Sequence, residues 1–261
     1  MLEVIDKGSA TESHPVPLLF VHGGWHGAWC WDEHFLDFFS GRGFRAAAVS
    51  LRGHGRSTPT KALNACSIRD YVDDVCSAAD GLGGPPVVIG HSMGGYVVQK
   101  YLENRQSPAG VLMASAPPQG STSASLRMMR RHPWAVLRTN TFGDTHDVVR
   151  TPRLTRAHLF CRHTPQNIVD SCAERLQPES ALAMKQMLSK RRIRPELVTT
   201  PLLVLGAAED GAFTRDEVTA TASTYHTEAV FISRMGHNMM LEPDWRSVAE
   251  RIDGWLTGRG L

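Results

Sequence analysis

The sequence predicts an α/β protein built on a mostly parallel, doubly wound sheet. Short apolar runs rich in Val, Ile and Leu alternate with longer segments whose apolar residues recur at helical spacing, the pattern of buried parallel strands joined by crossover helices. The chain has 261 residues, of which 42% are hydrophobic and 21% charged. This length and composition suit one α/β domain that carries an insertion and buries a large core.

Six apolar runs are predicted as strands. In chain order they are Val16–Val21, Arg45–Val49, Pro86–Ile89, Ala109–Ala114, Leu202–Leu205 and Ala229–Ile232. Segments with helical spacing accompany them at Ile68–Leu82, Met93–Glu103, Thr214–Ser223 and Trp245–Leu256. Asp244 directly precedes the last of these helices and is predicted to be its N-cap.

The alternation is interrupted between Pro118 and Pro195, where apolar positions keep helical spacing but form no strand-like run. This insertion follows the fourth predicted strand, which places it over the carboxyl ends of the sheet, where open α/β sheets bind ligands. We therefore expect a helical cap or lid at residues 119–195, on a core formed by residues 1–118 and 196–261.

Charge is distributed unevenly along the chain. The formal net charge is +2, but residues 119–195 hold 14 Lys or Arg against 5 Asp or Glu, while the remainder holds 14 against 21. The favoured interpretation is a solvated insertion with arginine-rich helix faces; the alternative is attraction of an acidic substrate or carrier. Nucleic acid is not an expected partner, because the basic residues are not interleaved with aromatic ones.

The N-terminal residues lack a basic start followed by an apolar segment, and no run approaches the ~18 apolar residues of a bilayer span. A cytoplasmic protein without a membrane span is expected. The five cysteines are odd in number and form no C-x-x-C pair, which argues against disulfides and a zinc site. No metal, nucleotide or flavin motif is recognised, so no cofactor is expected. Nothing in the sequence indicates the oligomeric state.

The strongest chemical signal is the G-x-S-x-G motif of Gly90, His91, Ser92, Met93 and Gly94. It lies between a predicted strand and a predicted helix, the setting in which a sharp turn presents the serine hydroxyl to a pocket. Ser92 is therefore the predicted nucleophile. The Met93 N–H, at the start of the helix, is the first predicted donor to an oxyanion.

A serine nucleophile needs a histidine to take its proton and a carboxylate to fix the tautomer of that histidine. His237 follows the last predicted strand, and its loop is the right place for such a base. Glu209 and Asp210 follow the preceding strand; Asp210 is preferred because it precedes the turn into the next helix. The order Ser, Asp, His agrees with the order known for G-x-S-x-G hydrolases.

The turn after the first predicted strand reads His22, Gly23, Gly24, and Gly24 is the second predicted oxyanion donor. Four further side chains are predicted to contact substrate: Trp25, His91, Trp134 and Met239. The histidines in or beside tight turns are expected to have structural or pocket-lining roles; they are His22, His26, His54 and His91.

Three segments carry a resemblance to a known family: HGGWHGAWCW at 22–31, SLRGHGRS at 50–57 and GHNMMLEPDW at 236–245. With the G-x-S-x-G motif, they resemble the α/β-hydrolase superfamily, and within it the small, cofactor-free, lidded members such as plant-type methylesterases and bacterial acyl hydrolases. The resemblance covers almost the whole chain. It implies the α/β-hydrolase fold, with the N-terminal antiparallel strands reduced because little sequence precedes the first matched strand.

The same resemblance implies that Ser92, Asp210 and His237 form a catalytic triad and that Gly24 and Met93 supply the oxyanion amides. The expected activity is hydrolysis of an ester, a lactone or a thioester in a small acyl substrate, with an anionic or carrier-bound substrate as one version. A haloalkane dehalogenase would need a carboxylate in place of Ser92. A non-hydrolytic cyclase, isomerase or lyase, or a ligand-binding receptor, remains the alternative.

Overall fold

The computed structural model describes residues 1–134, 144–188 and 193–261. Its strands are β1 (Glu3–Lys7), β2 (Leu18–Val21), β3 (Ala46–Ser50), β4 (Val87–His91), β5 (Gly110–Met113), β6 (Leu202–Ala207) and β7 (Ala229–Ile232). They form one sheet in the order β1-β3-β2-β4-β5-β6-β7. β1 runs antiparallel to β3, and the other neighbouring pairs are parallel.

Ten α-helices are found in the described residues. They are α1 (Trp29–Asp32), α2 (Phe35–Ser40), α3 (Ile68–Asp80), α4 (Met93–Leu102), α5 (Thr122–Arg131), α6 (Pro152–Leu159), α7 (Gln166–Arg175), α8 (Ala181–Leu188), α9 (Arg215–Thr224) and α10 (Trp245–Thr257). Short 3-10 turns occur at Leu63–Ala65, Thr145–Val148 and Pro195–Leu197. None of the described helices is long and apolar enough to cross a bilayer.

The sheet is covered on both faces, as the continuous apolar strands predict. Leu18 and Phe20 of β2 belong to one buried cluster, while Leu19 and Val21 belong to the other. The first cluster contains the apolar sides of α1, α2 and α10, and the second contains those of α3, α4 and α9. The doubly wound parallel fold that the sequence predicts is thereby confirmed.

Two local features differ from the predictions. β1 is not among the predicted strands, because its sequence Glu-Val-Ile-Asp-Lys carries three charged residues. At this edge of the sheet its side chains alternate between half-buried and exposed. It is the one antiparallel strand of the described sheet, at the end of the chain where reduced strands are expected. Asp244 stands at the N-cap position of α10, but its side chain makes no capping hydrogen bond.

The segment between β5 and β6 contains α5, α6, α7 and α8, and residues 135–143 and 189–192 of the expected cap lie outside the described residues. This segment contacts loops at the carboxyl edge of the sheet. The Gln177 N–H donates to the Trp25 carbonyl at 2.8 Å, and the Trp25 indole donates to the Thr145 carbonyl at 3.1 Å. Helices and turns of the insertion therefore pack against the turn that follows β2.

Candidate active site

Ser92 occupies the sharp turn between β4 and α4. Its φ of 53° and ψ of −117° lie in a region that residues with a Cβ rarely adopt. The surrounding backbone holds it there: the Ser92 N–H donates to the Met113 carbonyl at 3.1 Å, and the Ser92 carbonyl accepts from Ala116 at 3.0 Å. A side chain at Gly94 would clash with the carbonyls of Val21 and His22, so glycine is required where α4 meets β2.

Three polar side chains form a continuous hydrogen-bonded chain at this turn. Ser92 Oγ lies 2.9 Å from His237 Nε2, and His237 Nδ1 lies 2.9 and 3.0 Å from the two oxygens of Asp210. Because an ionised carboxylate can only accept, the ring proton belongs on Nδ1 and Nε2 is left to accept from the serine. The His237 and Asp210 side chains are 3% and 1% exposed, so water does not compete for these bonds.

The acid is held by the turn that follows β6. Asp210 Oδ1 accepts the N–H groups of Ala212 and Phe213 at 2.7 and 3.0 Å. Arg127 of α5 donates to the Ala212 carbonyl at 2.8 Å and pairs with Glu217. The side chain of the neighbouring Glu209 is 32% exposed. Of the two candidate carboxylates, the structure brings Asp210 to His237.

The loop that carries His237 is anchored by a buried carboxylate that the sequence analysis did not identify. Glu242 is 1% exposed, and its Oε1 accepts the N–H groups of Gly236 and Cys161 at 3.0 and 2.7 Å. Its Oε2 accepts from Thr164 at 2.5 Å. The sequence did contain a signal for this role: Glu242 stands in the otherwise apolar run Met-Met-Leu-Glu-Pro. A carboxylate in such a run is buried only where several partners donate hydrogen bonds to it.

The turn that carries Gly24 lies directly against the serine. A side chain at Gly23 would come within 2.9 Å of Ser92 Cβ and 2.7 Å of His91 Nδ1. His22 Nε2 accepts the Leu51 N–H at 3.0 Å, so its ring proton lies on Nδ1 and donates to the Gly23 carbonyl at 2.8 Å. Burial lowers the pKa of His22 well below its ordinary value, which keeps this ring neutral.

A second buried carboxylate, Glu179, is likewise not among the predicted site residues. It comes from the insertion, and its oxygen lies 3.8 Å from where a Cβ of Gly24 would be. Glu179 pairs with His54 at 3.1 Å and accepts from Tyr71 at 2.5 Å. Burial acts to raise the pKa of Glu179, but His54 and the hydrogen bonds hold it below its ordinary value. Burial acts to lower the pKa of His54, yet Glu179 raises it.

The four predicted pocket residues have different environments. Trp25 is 8% exposed and lies in the Gly24 turn. His91 is buried, and its Nε2–H donates to the His237 carbonyl at 2.9 Å. It therefore holds the backbone of the loop that carries His237. Met239 is fully buried in the hydrophobic core. Trp134 is 75% exposed, so the structure does not bring it to the site, contrary to the expectation of a pocket wall.

The arrangement is suited to acyl transfer. A serine hydroxyl, an imidazole and a carboxyl group are hydrogen-bonded in series, and a glycine turn and the N-terminus of α4 flank the serine. Within residues 1–134, 144–188 and 193–261, no group of three or more His, Cys, Asp or Glu side chains is placed to hold a metal ion.

Known proteins resemble this chain in sequence and in fold. It is 38% identical to a bifunctional esterase/perhydrolase of Acinetobacter calcoaceticus over 108 residues, which span 39% of this chain and 38% of that relative. It is 28% identical to a pFDCC methylesterase of Arabidopsis thaliana over 214 residues, 76% of this chain and 78% of the relative. The first match thus covers well under half of either protein.

A solved structure shares the fold over the full length. A thermophilic esterase from Thermogutta terrifontis superposes with a TM-score of 0.78 at 22% identity, covering 100% of this chain and 94% of that one. At this identity the likeness concerns the fold alone. The sequence pattern of the alpha/beta hydrolase family matches residues 18–251. The chain therefore belongs to the alpha/beta hydrolase family.

Proposed function

We propose that this protein is a serine hydrolase that cleaves a carboxylic ester through an acyl-enzyme on Ser92. The observation that carries the proposal is the hydrogen-bonded chain from Asp210 through His237 to Ser92 on the strained turn between β4 and α4. Membership of the alpha/beta hydrolase family and relatives named as an esterase and a methylesterase support it.

In the first half-reaction, Ser92 Oγ attacks the substrate carbonyl while His237 Nε2 takes the hydroxyl proton. The resulting imidazolium is stabilised by Asp210, whose oxygens lie 2.9 and 3.0 Å from Nδ1. His237 then returns the proton to the leaving alcohol. A water attacks the acyl-enzyme in the second half-reaction, again giving its proton to His237, and the carboxylic acid leaves as Ser92 recovers its proton.

The negative charge on the tetrahedral intermediate needs two fixed donors. We assign these to the backbone N–H groups of Gly24 and Met93. The Met93 amide opens α4, so the positive end of the helix dipole adds to it. Gly24 follows Gly23, whose backbone lies directly against Ser92. Loss of one such donor typically costs ~10²–10³ in rate.

The insertion at residues 119–195 is assigned as the cap of this site. Its Glu179 lies beside Gly24, and its Gln177 and Thr145 bond to Trp25. These contacts with the Gly24 turn support the assignment of the insertion as the cap of the site.

The basic charge of the cap gives weaker support for an anionic substrate, because several of its arginines are already paired. Arg127 pairs with Glu217, Arg150 with Asp144, and Arg175 with Glu33. A thioester is a further substrate class that the same chemistry would accept.

The proposal is tested by labelling with a fluorophosphonate and reading the adduct by intact mass. Wild type is expected to gain one adduct and Ser92→Ala none. Ser77→Ala, which changes an exposed serine on α3, is the matched control and is expected to label like wild type.

A panel of p-nitrophenyl esters, lactones and acyl thioesters then defines the leaving group and the acyl chain length. If wild type neither labels nor turns over any of these compounds, the hydrolase proposal is wrong. Binding of the compounds without turnover would instead indicate a receptor.

A further inference from the structure

His26 is a buried histidine that the proposed reaction does not use. It lies two residues after Gly24 and is 0% exposed. Its Nδ1 lies 2.7 Å from the Gly24 carbonyl, and its Nε2 lies 3.1 Å from the side-chain nitrogen of Asn238. One imidazole therefore contacts both the glycine turn beside Ser92 and the residue that directly follows His237.

The proton positions in this contact follow from the partners. Burial lowers the pKa of His26 to about 4, so the ring carries a single proton at neutral pH. The Gly24 carbonyl can only accept, which places that proton on Nδ1. Nε2 then has a free lone pair and accepts from the Asn238 amide, whose nitrogen also points to Cys172 at 3.6 Å. The Gly24 carbonyl thus fixes the neutral tautomer, and the Asn238 amide donates to the nitrogen that carries no proton.

The two loops joined by His26 carry different catalytic groups: one carries the proposed oxyanion amide of Gly24, and the other carries the proposed base His237. The ring Nδ1–H of His26 donates to the Gly24 carbonyl and so fixes the peptide between Gly24 and Trp25. The backbone N–H of His26 also donates to the Gly23 carbonyl, at 3.4 Å. On the other side, the Asn238 N–H donates to the Leu159 carbonyl at 2.7 Å. Displacing a catalytic group by about 1 Å can cost ~10²-fold in rate, so a rigid link between these loops would preserve the reaction geometry.

We propose that His26 is a positioning residue that, together with Asn238, holds the oxyanion turn at Gly24 in register with the loop of the base His237. This inference rests on the proposed function and adds to it a pair of residues outside the triad and the two oxyanion amides. The competing role is packing alone, since the His26 ring also stacks on Trp29 with centroids 5.5 Å apart.

Three substitutions of His26 test its hydrogen bonds to Gly24 and Asn238 separately. His26→Asn places an amide nitrogen near the position of Nδ1 and keeps a donor for Gly24, but it cannot reach Asn238. His26→Gln places an oxygen near the position of Nε2 and keeps an acceptor for Asn238, but it loses the bond to Gly24. His26→Phe fills the space and loses both bonds. His34→Phe is the matched control, since the His34 ring likewise stacks on a tryptophan, Trp245.

We expect His26→Phe to lower kcat by ~10²-fold with KM changed less than about threefold, because the lost geometry matters in the transition state. His26→Asn and His26→Gln should lie between His26→Phe and wild type. The inhibition constant of a boronic acid, which mimics the tetrahedral intermediate, should rise in parallel with the loss of kcat/KM. Asn238→Ala should lower kcat by about as much as His26→Asn or His26→Gln. The double variant His26→Phe/Asn238→Ala should have the same kcat as His26→Phe alone.

A packing role predicts a different set of results. His26→Phe would then lower the melting temperature and leave kcat and boronic acid inhibition of the folded enzyme unchanged, which would overturn the proposal. Additive losses in the double variant would overturn the link to Asn238. Failure of the hydrolase proposal is recognised separately, because wild type itself would then not label on Ser92 or turn over an ester.

Discussion

Replacing Asp210 by asparagine changes one oxygen for an amide nitrogen and keeps the shape of the side chain. Asp210 Oδ1 accepts the N–H groups of Ala212 and Phe213 at 2.7 and 3.0 Å. In Asp210→Asn the amide oxygen must take this position, because a nitrogen there would face two donors. The NH₂ group is thereby placed where Oδ2 now lies, 2.9 Å from His237 Nδ1.

The consequence is a reversed tautomer of the base. The amide oxygen, 3.0 Å from Nδ1, is already shared by two backbone N–H groups. The NH₂ group donates to Nδ1 and so favours the tautomer with the ring proton on Nε2, which faces Ser92 Oγ at 2.9 Å. A protonated Nε2 cannot take the serine proton. We expect kcat to fall by ~10⁴-fold, as for the equivalent change in other serine triads, which corresponds to about 5 kcal/mol of transition-state stabilisation.

The assay is hydrolysis of a p-nitrophenyl ester by folded protein of known melting temperature. Glu209→Gln, which alters the neighbouring and more exposed carboxylate, is the control and should change kcat by less than about twofold. Retention of more than about a tenth of the wild-type kcat by Asp210→Asn would refute the assignment of the acid and the tautomer argument.

Three further predictions concern the buried carboxylates and the cap. Glu179→Gln should destabilise the fold by about 3–5 kcal/mol between about pH 5 and 6.5. The stabilisation from the lowered pKa of Glu179 is lost as pH falls, and that from the raised pKa of His54 is lost as pH rises. Denaturant unfolding across pH measures the difference in unfolding free energy between wild type and Glu179→Gln. A difference that does not change with pH would contradict the pairing of Glu179 with His54. Glu242→Gln should cost about 1–3 kcal/mol and lower kcat, because the N–H groups of Gly236 and Cys161 lose a charged acceptor; an unchanged melting temperature and kcat would exclude this anchoring. If the cap recognises an anion, kcat/KM for a charged ester should fall with added salt while that for its neutral analogue does not, and equal salt dependence would remove the idea.

The predicted site residues that the structure brings together are those with local sequence signatures. The G-x-S-x-G motif needs only a strand, a tight turn and a helix, and the positions of Asp210 and His237 follow from the ends of their strands. Glu179 and Glu242 were missed because their burial depends on partners distant along the chain: Glu179 bonds to Tyr71, and Glu242 bonds to Cys161. Periodicity within a segment carries no information on such contacts.

The edge strand and the insertion between β5 and β6 also could not be placed from local sequence alone. β1 has only two apolar residues among its five positions, Val4 and Ile5, and because they are adjacent they give no alternating pattern. Its place in the sheet comes from antiparallel pairing with β3. Trp134 was expected in a pocket because it is aromatic, yet its side chain is 75% exposed. An aromatic residue in an insertion can be placed only when the path of the insertion over the sheet is known.

The most direct test is to mix the enzyme with a p-nitrophenyl ester, quench with acid within the first turnover, and measure the mass of the peptide that contains Ser92. The proposed mechanism predicts that this peptide gains the mass of the acyl group and that the adduct is absent from Ser92→Ala. If Ser92→Ala hydrolyses the ester at the wild-type rate, or if wild type turns over without any acylated peptide, Ser92 is not the nucleophile and the proposed mechanism is wrong.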